Sequence, residues 1–232
     1  MGSASLGVTD RYHDVGDMPN ELPVFPLRGA ILLPRATLTL NVFEPRYLAL
    51  VDYALGRDHL IGVVQPAAEA GSAESPRGKT FALRRVGCAG RITAFTESDE
   101  GRVVITLAGV ARFRCRRDIA SEEPFRICTT DYASYAEDFV SGHGEDAVDR
   151  PRLIATLRSY LITNNLNADW DRINSASNER LVNTLSILSP YGPEEKQALL
   201  EAADLRARAE ALVALAEMEL AARDDGSGTS LQ

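Results

Sequence analysis

Three consecutive runs decide the fold class: Val86-Gly-Cys-Ala-Gly-Arg-Ile-Thr-Ala-Phe95, Arg102-Val-Val-Ile-Thr-Leu-Ala108 and Ala111-Arg-Phe-Arg-Cys-Arg-Arg117. The first two contain many β-branched residues, which pack well on a pleated surface, and the third alternates charged with apolar residues. Ser98-Asp-Glu-Gly101 has the composition of a turn between the first two runs, and Gly109 interrupts the next pair. We therefore predict consecutive β-strands joined by tight turns.

Shorter runs on both sides extend this β-rich region. Leu22-Pro-Val-Phe-Pro-Leu27 is apolar but contains two prolines, which cannot donate to a ladder, so we predict an edge strand. Ala36–Val42 alternates with period two, and Leu60–Gln65 and Phe125–Tyr132 are short apolar runs. Phe43-Glu-Pro-Arg-Tyr47 opens a helix, because proline suits the first helical turn. One early helix without regular strand–helix alternation predicts a small mixed-sheet barrel.

After Tyr135 the sequence changes to helical periodicity. Apolar residues recur at helical spacing in 151–163, and Ser177 and Asp204 are N-cap residues ahead of further apolar repeats. Gly192-Pro193 begins another helix, with proline at its first position. The predicted fold class is therefore α+β, with an N-terminal mixed pseudo-β-barrel that contains one early helix, followed by a C-terminal helical bundle.

Composition and charge divide the chain into segments. The formal net charge is −3 over residues 1–21, +3 over 22–135 and −8 over 136–232, and the whole chain carries −8. This balance argues against bulk binding of nucleic acid, which needs a basic face. The predicted segments are a flexible lead-in at 1–21, the barrel at 22–135, a linker at 136–150, a helical subdomain at 151–223 and a disordered tail at 224–232.

Cysteine usage and the absence of targeting signals predict a cytoplasmic protein. Cys88, Cys115 and Cys128 are odd in number, widely spaced and without a CxxC motif. We therefore expect small buried hydrophobic side chains and not a disulfide framework. No basic-then-apolar leader is visible, and no run approaches about 18 apolar residues, so no membrane partner is expected.

We find no group of residues that predicts catalysis. Ala73-Glu-Ser-Pro-Arg-Gly78-Lys79-Thr80 loosely matches a Walker A motif, but a phosphate loop must enter a helix and this segment leads into a strand-like run. Lys196 follows two glutamates in a first helical turn, where we expect solvation to keep it charged. His13, His59 and His143 are scattered. We predict no enzyme activity, no ATP or other cofactor, and no metal site.

An ordered set of motifs carries a family resemblance: Leu22–Leu27, Leu33–Pro34, Val42–Tyr47, Ile61–Val64, Val86–Gly87, Gly90–Ile92, Val104–Leu107, Gly109–Phe113 and Pro193–Gln197. The set resembles the LON domain, the N-terminal substrate-recognition domain of Lon-type ATP-dependent proteases, which also occurs in cereblon. The resemblance implies a pseudo-barrel of the PUA-like type followed by helices. It also implies a role in engaging polypeptides or partner proteins without chemistry of its own.

An arginine-rich run supplies the main binding candidates. Arg112, Arg114 and Arg116 alternate with Phe113 and Cys115, which places three guanidiniums on one face of a strand. Such a face suits an acidic ligand or RNA; the alternatives are a solvated face or pairing with the acidic helical half. Arg46 and Tyr47 match the family motif, and Arg91 lies on another strand. The full candidate partner-binding set is Arg46, Tyr47, Arg91, Arg112, Arg114 and Arg116.

Two functions follow from these residues. The leading hypothesis is a non-catalytic module that binds unfolded or partner polypeptides, either by strand addition at the proline-marked edge or in an apolar groove between barrel and helices. The alternative is an RNA-associated protein that uses the arginine face, since PUA-like barrels also occur in RNA binders. The net charge of −8 and the 6% aromatic content count against this alternative.

Overall fold

A computed structural model of the chain describes residues 12–67, 82–97 and 102–227, with side chains up to 223, and the backbone of 74–75 and 78–79. The chain divides into two compact units, Met1–Ser141 and Gly142–Gln232. The turn predicted at 98–101 and most of the Walker A-like segment lie outside the described residues.

The first unit is a β-structure with one α-helix, as the sequence predicts, but the predicted interruption at Gly109 is wrong, because residues 103–108 and 111–117 lie in one strand. Its helix α1 spans Pro45–Leu55 and begins with the predicted proline in its first turn. The strands are β1 Glu21–Pro26, β2 Thr37–Val42, β3 Leu60–Pro66, β4 Glu74–Ser75, β5 Gly78–Lys79, β6 Leu83–Glu97, β7 Val103–Ile119 and β8 Arg126–Asp131.

Six of these strands form one mixed sheet in the order β2-β7-β6-β3-β1-β8. The long strand β7 also pairs with β8, so the sheet curls back on itself into a barrel. The first half of β7 pairs with β2, and the second half of β7 pairs with β8. Among the described strands of this sheet, β2 is therefore the one that pairs along one side only.

The prediction that the proline-containing segment forms an edge strand is wrong. β1 lies inside the sheet, parallel to β3 and antiparallel to β8. Each ladder covers only part of β1, Val24–Pro26 against β3 and Glu21–Val24 against β8. Each ladder therefore contains a single proline, and the missing N–H costs each at most one hydrogen bond.

The core of the first unit is centred on Phe113, which is completely buried in the middle of β7. Leu22, Val24 and Ala89 belong to the same buried cluster. Gly62 leaves room for the ring, since a Cβ at that position would lie 2.8 Å from Phe113 Cζ. The close packing of β3 against β7 side chains thus depends on a residue without a side chain.

The second unit contains only helices among its described residues. α2 and α4 begin at aspartate or serine N-caps, because Asp149 accepts from the Arg152 main-chain N–H and Ser177 from that of Arg180. α2, α4 and α5 pack against α6. The helices are α2 Arg150–Thr163, α3 Trp170–Ser175, α4 Asn178–Leu188, α5 Pro193–Glu201 and α6 Leu205–Ser227.

The structure confirms the predicted α+β class. It also shows regular structure in parts of the predicted lead-in, linker and tail, and in the tail α6 continues to Ser227. In the lead-in, Val15–Asp17 forms a 3-10 helix and Met18 is buried. In the linker, the 3-10 helix Ala133–Phe139 carries a buried Asp138, and the division between the units follows it at Ser141. No described helix is both long and apolar enough to cross a membrane.

Candidate functional site

Arg112 points into the protein and forms a buried ion pair. Its main-chain N and its Nε each lie 2.9 Å from Asp138 Oδ2, and its Nη2 lies 2.9 Å from Oδ1. The guanidinium also stacks 4.4 Å from the ring centroid of Tyr135. Burial acts to lower the pKa of Arg112, but the hydrogen bond and charge of Asp138 outweigh it and the pKa is raised. Arg112 therefore stays charged inside the unit and holds Asp138 in place.

The other two arginines of the predicted face contact the end of β8 and the short segment that follows it. Arg114 lies 5.7 Å from the Tyr135 ring centroid, with its Nε 3.4 Å from Ser134 Oγ. Arg116 forms an ion pair with Asp131, although 60% of its side chain remains exposed. Arg112 is thus buried whereas most of the Arg116 side chain is exposed, and the partners of all three arginines belong to the same unit.

Arg46 and Tyr47 form a second group at the start of α1. Tyr47 stacks on Phe25 with ring centroids 4.2 Å apart, and Arg46 lies 4.5 Å above the Tyr47 ring. Arg46 also bonds Glu44 at 2.7 Å. Burial raises the pKa of the Tyr47 phenol. This group anchors the helix to β1 and leaves part of the Arg46 guanidinium at the surface.

Arg91 belongs to neither group, because it lies on a different strand and opposite different residues. It sits on β6, half-buried, opposite Leu60 of β3 and Ala108 of β7. The six sequence-predicted residues thus contact three different sets of partners.

Strand β2 presents a feature that the sequence did not locate, an open strand edge. Its six residues pair with β7 in unbroken register, from Thr37 opposite Ala108 to Val42 opposite Val103. No other described strand pairs along its second side. β2 contains neither a charged residue nor a proline. Period-two alternation predicted the strand itself, but its place at the edge depends on which strands pair.

Two large apolar side chains lie exposed in this region of the sheet. Phe43 follows β2 directly and is 64% exposed, and Phe95 on β6 is 42% exposed. Phe95 lies opposite Ile105, which in turn lies opposite Leu40 of β2. Directly opposed residues share a face of the sheet, so Phe95, Ile105 and Leu40 form an apolar row that ends at the open edge.

Comparison with known proteins identifies this architecture. The family model of the ATP-dependent protease La (LON) substrate-binding domain matches residues 21–217 of the chain. The chain belongs to this family. The LON domain is 24% identical over 226 residues to a Lon protease of Syntrophus aciditrophicus, covering 90% of the chain and 26% of the relative. It is 28% identical to Lon protease 2 of Myxococcus xanthus, covering 83% of the chain and 23% of that protein.

Solved structures confirm the fold of this LON domain. The Lon N-terminal domain protein from Xanthomonas campestris matches with a TM-score of 0.58 and 23% identity, covering 84% of the chain and 97% of that structure. The N-terminal domain of a Mycobacterium avium complex Lon protease matches with a TM-score of 0.63 and 15% identity, covering 85% and 98%. The chain thus spans about a quarter of the length of the curated Lon proteases.

The prediction of no disulfide is wrong for two of the three cysteines of the LON domain. Cys115 and Cys128 are bonded across β7 and β8, while Cys88 takes no part in the disulfide and is buried as expected. Cys115 lies opposite Thr130 and Cys128 lies opposite Asp118, so the two cysteines are neighbours across the β7–β8 ladder without being directly opposed, and this pairing has no sequence signature. Asp118 Oδ lies within 4.8 Å of both sulfurs and is ion-paired with Arg126. The bonded sulfurs are not available as metal ligands.

The expectation that Lys196 of the LON domain is solvated is also wrong. Lys196 is 3% exposed, and its Nζ donates to the Ser186 carbonyl oxygen at 2.8 Å and to the Ile187 carbonyl. Burial lowers its pKa to about 8. The ammonium binds the last carbonyls of α4, and the Ser186 hydroxyl donates to the Val182 carbonyl. These bonds hold helix ends together and leave no exposed serine–lysine pair at this position.

Proposed function

We propose that this LON domain is a non-catalytic module that binds unfolded or partner polypeptides. The observation that carries the proposal is the match of a substrate-binding domain family over residues 21–217. The matched proteases are about four times as long as the chain, so their proteolysis belongs to them and only recognition is proposed here. The uncharged edge of β2 and the exposed Phe43 and Phe95 support recognition of polypeptide chains.

The sequence-predicted residues have two roles in this proposal. Arg46 and Arg116 keep 39% and 60% of their side chains exposed and are proposed to contact a partner. Arg112 and Tyr47 are buried and act as positioning residues through Asp138 and Phe25. Arg114 and Arg91 complete the candidate set.

We also propose that the protein works in the cytoplasm. Disulfides are rare in that compartment, because small thiols and thioredoxins keep cysteines reduced. The bond between Cys115 and Cys128 would then be reversible in the cell. Its state in freshly prepared lysate, trapped with a thiol-alkylating reagent and read by mass spectrometry, tests this proposal. A fully oxidised pair would contradict a reducing location.

A binding experiment tests the main proposal. Lysozyme that has been reduced and alkylated with iodoacetamide cannot refold and serves as a fluorescently labelled unfolded polypeptide. Native lysozyme has almost the same composition and charge and is the control. The expected result is saturable binding of the unfolded form, measured by anisotropy, and much weaker binding of the native form. Equal binding of both, or of neither, would contradict the proposal.

The RNA alternative has less structural support than polypeptide binding. Arg112 is ion-paired with Asp138, Arg114 lies against the Tyr135 ring, and Arg116 is ion-paired with Asp131 at the end of β8. RNA binding through this face requires an affinity that falls steeply with salt. Arg114→Ala and Arg116→Ala would have to abolish it. Affinity without salt dependence would exclude the alternative.

A further inference from the structure

The main chain of β2 indicates which of its groups face away from the sheet. The Gly109 N–H of β7 donates to the Ala36 carbonyl at 2.8 Å, just before β2 begins. Main-chain groups alternate sides along an antiparallel strand, so those of Leu38 and Leu40 face β7. The outward N–H and C=O groups belong to Thr37, Thr39 and Asn41.

The β2 edge, meaning the side of Thr37–Val42 that faces away from β7, lacks the devices that usually protect strand edges. Proteins block such edges with charged side chains, prolines or bulges. The far half of β6 extends beyond β3 and has such protection, with a register shift between Ile92 and Ala94 and an acidic Glu97. The β2 edge has none of these features and keeps regular register over six pairs.

We propose that an extended segment of the bound polypeptide adds to the β2 edge as a further strand. The inference rests on the proposed function, because it assumes that the domain binds polypeptides, and it adds the place and the mode of binding. Three outward-facing residues offer about six main-chain hydrogen bonds over roughly 20 Å. These bonds do not depend on the side chains of the incoming segment, which suits a module that meets many sequences.

The two faces of β2 define the side chains that the segment carries. Leu38, Leu40 and Val42 lie on one face, and Leu40 ends the apolar row that begins at Phe95. An apolar residue opposite Leu40 would extend this row. The opposite face carries Thr37, Thr39 and Asn41 and suits small or β-branched residues. The preferred segment therefore alternates apolar and small residues and contains no proline.

Charge favours a client polypeptide over a second copy of the chain at this edge. Each copy has a formal net charge of −8, so two copies repel each other. A segment without net negative charge meets no such repulsion. An uncharged segment of a polypeptide is therefore the committed partner, because β2 itself carries no charge and residues 22–135 around it have a formal net charge of +3. Pairing of two β2 edges is the outcome that would contradict it.

The first test leaves the protein unchanged. A fluorescein-labelled peptide of about ten residues, alternating valine and threonine with a lysine at each end, spans the edge. N-methylation of alternate residues removes the N–H groups along one side of the peptide, and two such peptides cover the two sides. We expect one methylated peptide to lose at least about tenfold in affinity, because several hydrogen bonds are lost. The other methylated peptide keeps the N–H groups that face β2. When β2 is the template, its affinity should lie within about threefold of that of the unmethylated peptide.

The second test changes the edge itself. Thr39→Pro removes an outward N–H that β7 does not use, and Thr39→Val keeps that N–H and the strand propensity. We expect Thr39→Pro to weaken peptide binding at least about tenfold and Thr39→Val to leave it unchanged. Circular dichroism confirms that both variants fold. If Thr39→Pro is unfolded, the methylated peptides on the unchanged protein decide the question.

The outcomes separate this inference from the proposed function. If the wild type, Thr39→Pro and Thr39→Val bind unfolded lysozyme equally well, strand addition at the β2 edge is refuted, but the proposed binding of polypeptides is not. No binding of unfolded lysozyme or peptide by the wild type overturns both. A concentration-dependent dimer in sedimentation, lost in Thr39→Pro and unaffected by peptide, assigns the edge to a second copy and overturns the inference.

Discussion

Removal of the Asp138 carboxylate should strongly destabilise the first unit. Asp138→Ala takes away the acceptor of three 2.9 Å hydrogen bonds from Arg112. Arg112 is only 4% exposed, so its guanidinium would stay in the interior without its counterion. Breaking a buried pair in this way typically costs about 3–5 kcal/mol, against roughly 5–15 kcal/mol for a whole domain.

Amide hydrogen exchange along β7 measures how much Asp138→Ala destabilises the first unit. We expect the opening free energy of amides near Arg112 to fall by about 3–5 kcal/mol in Asp138→Ala. Arg116→Ala is the matched control, because it removes an ion pair whose guanidinium is 60% exposed, and its cost should stay below about 1 kcal/mol. The double variant Arg112→Met with Asp138→Leu should recover part of the loss, since no charge is then buried, but the Arg112 main-chain N–H still loses its Asp138 acceptor. A loss below about 1 kcal/mol in Asp138→Ala would refute the buried-pair argument.

Two further predictions concern the disulfide and the buried lysine. Reduction of the bond between Cys115 and Cys128, which are 13 residues apart, should lower the free energy of unfolding by about 3 kcal/mol in urea, and Cys88→Ser should leave this difference unchanged. An identical urea midpoint with and without reductant would contradict it. For Lys196, the pKa of about 8 lies below the ordinary 10.5, so between these values the unfolded chain binds more protons than the folded one. Stability should therefore rise with pH across that window, by up to roughly 1.4 kcal/mol per unit, and Lys196→Met should lack the rise. A wild-type profile parallel to that of Lys196→Met would contradict the lowered pKa.

Local patterns predicted most elements of the LON domain, because their determinants lie within a few residues of each other. Period-two alternation located β2, and Pro45 located the start of α1. Ser177 and Asp204 accept main-chain hydrogen bonds at the positions where caps were expected. Capping and alternation act over one turn or one pleat, so the chain alone displays them.

Long-range pairing escaped the same reasoning. The prolines of β1 suggested an edge, but the short ladders on its two sides accommodate them. Cys115 and Cys128 meet because β7 pairs with β8, and one residue of slip changes which side chains meet. Lys196 follows two glutamates in the sequence, yet the carbonyls that bind it end another helix.

The sequence by itself determined the family and the α+β class. Only the tertiary structure decided that Arg112 is buried against Asp138 and that the open edge belongs to β2 and not to β1. The reason is physical. Periodicity states which residues share a face, whereas burial and edge position depend on segments that are far apart in the chain. Strand order in particular is a property of the whole sheet, and no single strand encodes it.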